Sequence, residues 1–150
     1  MAREAIRAFQ ESPRHTAAQR MEAVHARLRS TRGAAAALAT IDTEASVLRF
    51  IGVGNIAGTV ADGQQSRNLV SISGTLGHNV RSIREFSYPW LPHSRLVLHS
   101  DGVSGRCDLN SYPGVMERAP ALAPALLYRD MARGRDDATV VIARQGGAEW

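Results

Sequence analysis

At 150 residues, 44% apolar and 21% charged, the chain has the make-up of one globular domain with a real core and is too short for two comfortable ones. No apolar run approaches the ~20 residues of a membrane span, Met1-Ala2-Arg3-Glu4-Ala5 opens an amphipathic stretch and not a signal peptide, and the single cysteine, Cys107, excludes an internal disulfide and points to the cytoplasm. The net charge of +4 raises the question of nucleic acid, but all 18 basic residues are scattered arginines and aromatics are only 5%, so no basic patch or stacking platform emerges.

Ala2 to Gln10 reads as a short helix stopped by Ser12-Pro13. A second helix starts at Thr16, whose spacing to Gln19 fits a capping box, and runs to about Arg29. Ala17, Met21, Val24 and Leu28 form its apolar face, and Gly33 ends it. From Ala34 the period changes to two. Ala34–Asp42 and Ser46–Val53 are strands around a polar turn at Thr43-Glu44, and Ile56–Val60 and Asn68–Ile72 flank Asp62-Gly63, a strong hairpin signal. Ile83–Tyr88 and Arg95–His99 are further strands, joined by a loop carrying Pro89 and Pro92. An irregular segment, Val103 to Ala119, leads to a helix over Pro120–Arg133, with Leu122, Leu126 and Leu127 on one side and Pro124 tolerated in its first turns. Ala138–Arg144 is a closing strand, and Gly146–Trp150 a frayed tail. Helices, a run of antiparallel strands, then a helix and a strand make an α+β layered domain rather than an alternating βαβ one.

Two segments carry candidate chemistry. In His99-Ser100-Asp101-Gly102 an apolar strand ends in an aspartate followed by glycine, which places a carboxylate at the rim of a sheet, suited to a hard cation such as Mg2+ or Mn2+. The bland alternative is Asp-Gly as turn punctuation. Arg135-Asp136-Asp137-Ala138-Thr139 sets paired carboxylates at the entrance of the last strand, with backbone capping in a solvated turn as the alternative. Other constellations fail. His99, Ser100 and Asp101 are strand neighbours pointing to opposite faces and cannot form a hydrolytic relay. Gly52-Val53-Gly54-Asn55 lacks the third glycine and following helix of a dinucleotide site. The histidines 15, 25, 78, 93 and 99 show no ligand spacing, and no side chain is assigned a catalytic or cofactor-binding role.

The order of motifs is more specific than any one of them. Arg49-Phe50-Ile51-Gly52-Val53-Gly54-Asn55, Gly74-Thr75-Leu76-Gly77-His78, Ser100-Asp101-Gly102 and Arg133-Gly134-Arg135-Asp136-Asp137-Ala138-Thr139 together resemble the SpoIIE-like branch of the metal-dependent (PPM-type) serine/threonine protein phosphatases, over nearly the whole chain. The resemblance implies an α+β fold, a two-sheet antiparallel β-sandwich flanked by helices. It implies metal ligation by Asp101 and Asp136, with Gly102 keeping the ligand loop tight, Asp137 near the site, and Gly74–His78 a structural or near-site loop. It implies a binuclear Mn2+ or Mg2+ centre that hydrolyses phosphoserine or phosphothreonine on a regulatory protein of the anti-sigma-factor antagonist type, in partner-switching signalling, with neither nucleic acid nor membrane as partner. The family's early strand and its Asp-Gly-x-Gly-His-Gly-like loop have no counterpart in the sequence. The expectation is therefore a partial domain over residues 1–150 that lacks N-terminal strands and part of the ligand set, with impaired activity. The alternative is a non-catalytic protein-binding module or remnant of a phosphatase domain.

Overall fold

The computed structural model describes residues 2–11, 15–103, 112, 114, 115, 122–132, 134 and 137–145. They fall into two compact units, Met1–Ile56 with Val70–Pro89, and Ala57–Leu69 with Trp90–Trp150. The expected helix near the start is α1 (Ala2–Gln10), and the second is α2 (Ala17–Arg27), followed by a single 3-10 turn to Ser30. Thr16 caps α2 as its spacing predicts: its hydroxyl accepts from Gln19 N–H at 3.3 Å, and the Gln19 side chain accepts from Thr16 N–H at 2.9 Å.

In the first unit, β1 (Ala36–Asp42) and β2 (Val47–Val53) form an antiparallel hairpin in register Ala36↔Val53 to Asp42↔Val47. Asp42 Oδ1 accepts from Ala45 N–H at 2.9 Å to close its turn. The other edge of β2 takes β6 (Phe86–Pro89) antiparallel and the two-residue β5 (Ser71–Ile72) parallel, so this sheet is not purely antiparallel. Pro89 lies at the end of a strand and not in the expected loop. β6 pairs with β2 alone among the described strands, so a residue without an N–H is tolerated there. Ala8, Met21, Val24 and Leu28 from the helical segment pack with Ile51, Val53 and Leu76 into one core, the expected α2 face meeting the sheet. The Gly74–His78 loop is stitched to the end of that segment. Leu76 exchanges backbone bonds with Ala34, Gly77 N–H donates to His25 Nδ1 at 3.0 Å, and His78 Nε2 bonds Thr31 O at 2.9 Å.

The second unit holds the sheet β4-β3-β7-β8, all antiparallel: β3 (Ala57–Ala61), β4 (Ser66–Asn68), β7 (Arg95–His99) and β8 (Val140–Arg144). The Asp62-Gly63 hairpin forms as its sequence predicts, with Asp62 Oδ1 accepting from the Gln64 and Gln65 amides at 3.0 and 2.8 Å. The single strand expected over Asn68–Ile72 is two, however. Leu69 N–H still bonds Gly58 O at 2.8 Å, whereas Ser71 and Ile72 pair with β2. The run is continuously strand-like, and a change of partner leaves no mark in local pattern. The last helix, α3 (Leu122–Met131), buries Ala123 and Leu127 against Ala61, Val97 and Val103. Leu122, expected on that face, is exposed instead. Most of the expected irregular segment, with Cys107, and the tail Gly146–Trp150 lie outside the described residues.

Candidate functional site

The antiparallel register of β7 and β8 ends at His99↔Val140. Whatever follows His99 is therefore delivered beside whatever precedes Val140, and the two motifs singled out in the sequence meet at one rim. Ser100 N–H donates to Thr139 O at 3.1 Å, Thr139 N–H donates to Ser100 Oγ at 2.9 Å, and Ser100 Oγ donates to Asp137 O at 3.3 Å. Past Ser100 the chain turns sharply, with Val103 N–H bonding Ser100 O at 3.1 Å. An isolated antiparallel bridge joins Val103 to Ala132, just after α3.

Asp101 sits at the exposed apex of this turn, and Asp137 is exposed on the facing segment. Gly102 between them is buried. A Cβ built on it would stand 2.4 Å from Asp137 O, 2.8 Å from its carbonyl carbon and 3.0 Å from Ala138 Cα. Only a residue without a side chain lets the two segments touch backbone to backbone. His99 is buried at the end of β7, and its Nδ1 faces Ser100 O at 3.1 Å. A carbonyl oxygen only accepts, so Nδ1 carries the proton there and is turned to the backbone.

Asp136 lies outside the described residues. Among the described residues no three His, Cys, Asp or Glu side chains come together as a metal-binding group. The donors at the rim are carboxylate oxygens, the ligand type that a hard divalent cation takes, and the close packing at Gly102 holds their segments in backbone contact. In donor chemistry the rim fits Mg2+ or Mn2+. The sequence points to Asp101, Gly102 and Asp137 but gives Ser100 no part beyond a rejected hydrolytic relay, whereas its hydroxyl joins the two motifs. The signal was a serine at a strand end, directly before the Asp-Gly pair.

The family model of stage II sporulation protein E (SpoIIE) matches residues 1–145. No curated protein matches the chain. A solved structure from work on the bacterial stressosome, described as a modular system adapted to control secondary messenger signaling, has a TM-score of 0.83 at 23% identity, covering 95% of this chain and 75% of its own. RsbX in complex with magnesium has a TM-score of 0.72 at 19% identity, with 94% and 72% covered. The PP2C phosphatase domain, with a fragment of the regulatory domain, of the cell fate determinant SpoIIE from Bacillus subtilis has a TM-score of 0.71 at 20% identity, with 95% and 49% covered. The α+β architecture with two sheets is thus the fold of PPM-type (PP2C) phosphatases, and the chain belongs to the SpoIIE family.

Proposed function

We propose that residues 1–150 act as a phosphatase domain of the metal-dependent PPM type, hydrolysing phosphoserine or phosphothreonine on a regulatory protein in the cytoplasm. The observation that carries this reading is the meeting of the Ser100-Asp101-Gly102 turn with the Asp137-Ala138-Thr139 segment at one sheet rim, in a chain of the SpoIIE family. Asp101 and Asp136 would hold Mn2+ or Mg2+, with Asp137 as a near-site residue and Gly102 keeping the turn close. A divalent cation there supplies positive charge for a phosphoryl oxygen and acidity for a water molecule. The chain's own part is to fix two carboxylate-bearing segments against each other at one sheet rim. The presence of magnesium with RsbX and the signalling setting of the stressosome structure support the choice of metal and of a regulatory phosphoprotein as substrate. A protein antagonist of an anti-sigma factor is the specific substrate we propose. No described helix is long and apolar enough to cross a membrane.

The test is Mn2+-dependent hydrolysis of an aryl phosphate and of a phosphoserine peptide, with a chelator control and the Asp101→Ala variant. Weak metal-dependent turnover, lost in the variant, is the expected result. Turnover equal to that of the variant, in a sample shown to be folded, would overturn the catalytic reading and leave the rim a protein-binding surface.

A further inference from the structure

The register of β7 and β8 places Ser100 opposite Thr139 as the next pair beyond His99↔Val140. In an ordinary ladder two such residues exchange both backbone bonds. Here only one of the two is made by backbone: Ser100 N–H donates to Thr139 O at 3.1 Å. The return bond, from Thr139 N–H, goes to the Ser100 hydroxyl at 2.9 Å and not to the Ser100 carbonyl. That carbonyl is engaged elsewhere, accepting from Val103 N–H at 3.1 Å to close the turn that carries Asp101, and facing His99 Nδ1 at 3.1 Å. The same hydroxyl donates its own proton to Asp137 O at 3.3 Å.

We infer that Ser100 is a positioning residue, its hydroxyl standing in for its own carbonyl in the last rung between β7 and β8. The substitution lets the chain leave the sheet at Asp101 while the facing strand stays paired to Thr139. Its second bond fixes the backbone of Asp137, so one oxygen atom sets the spacing between the two carboxylate segments. A hydroxyl can do this because it accepts and donates at once, whereas a carbonyl only accepts. Alanine would leave the Thr139 amide and the Asp137 carbonyl without this partner. Threonine retains the hydroxyl and suits an extended backbone.

The inference rests on the metal-site reading above in one respect, the consequence for metal affinity, so the experiment has two arms. Mn2+ alone is titrated calorimetrically into the full chain and its Ser100→Ala and Ser100→Thr variants, and backbone amide exchange is followed in each without metal. The expected result is Mn2+ binding weakened about tenfold in Ser100→Ala and restored in Ser100→Thr, in line with the usual effect of removing a group that orients a metal ligand. Exchange should quicken at Thr139 and Val103 while Leu96 and Val97, inside the ladder, keep their protection. Parent-like affinity in Ser100→Ala overturns the positioning role. If the parent chain binds no Mn2+, the metal reading fails by itself and the exchange arm decides. Acceleration confined to Thr139 and Val103 supports the clasp, and unchanged or uniform exchange overturns it.

Discussion

Replacing Gly102 by alanine should drive apart the two segments that form the rim. The added Cβ would stand 2.4 Å from Asp137 O, where real contacts of this kind essentially never fall below 3.0 Å, so the facing backbone must retreat by about 0.6 Å. All three nearest atoms belong to the main chain of Asp137 and Ala138, and no side-chain rotation relieves the clash. The same retreat lengthens the 3.3 Å bond from Ser100 Oγ to Asp137 O beyond hydrogen-bond range. Gly102 does not use left-handed backbone, so the penalty arises from the collision and not from φ. Overpacking of this kind costs about 1–3 kcal/mol, offset by about 0.4–1 kcal/mol from the stiffer unfolded chain. The expected net loss is about 1–2 kcal/mol, read by urea unfolding, together with weaker Mn2+ binding. Gly58→Ala is the control: its Cβ would meet the ends of the Leu98 and Leu69 side chains, which can turn aside, and a smaller loss is expected. A Gly102→Ala protein as stable as its parent, with unchanged Mn2+ affinity, would refute the argument.

Leu127→Ala should cost about 2–5 kcal/mol in urea unfolding, because Leu127 is fully buried in the core of its unit; a loss below about 1 kcal/mol would mean that α3 is not packed there. Thr16→Ala removes the hydroxyl that accepts from Gln19 N–H, one half of the capping box at α2, and should cost about 1 kcal/mol, seen as a lower thermal midpoint. The Arg129 guanidinium, at 2.6 Å, and the Tyr112 hydroxyl, at 2.8 Å, hold the Asp130 carboxyl down at about 2. A lowered folded-state value means that the stabilisation is present above the ordinary aspartate range and is lost as pH falls towards 2. A carboxyl-carbon NMR titration should show that midpoint, moved upward in Arg129→Ala; an unmoved midpoint would contradict the assigned cause.

Most elements could be read along the chain because each depends on residues a few positions apart. The Thr16–Gln19 box, the Met21, Val24 and Leu28 face, the Asp62-Gly63 hairpin and the Arg95–His99 strand are set by local backbone preference and by periodicity. The readings that needed revision depend on partners distant in sequence. The division of Asn68–Ile72 follows from which strand each residue meets, the place of Pro89 from β6 lying at an edge, and the exposure of Leu122 from how α3 turns against Ala61 and Val97.

The same division runs through the site. By itself the sequence determined the residue types, carboxylates beside small residues at the two ends of apolar strands, because strand endings are written in local composition. Only the tertiary structure decided that these ends are neighbours, since antiparallel pairing of β7 with β8 brings Ser100 within 2.9 Å of the Thr139 amide, 39 residues away along the chain. It also decided why residue 102 is glycine and residue 100 serine. The first is fixed by the space left in front of the Asp137 carbonyl, the second by a backbone amide in need of an acceptor, and neither demand is visible in the residues that flank them.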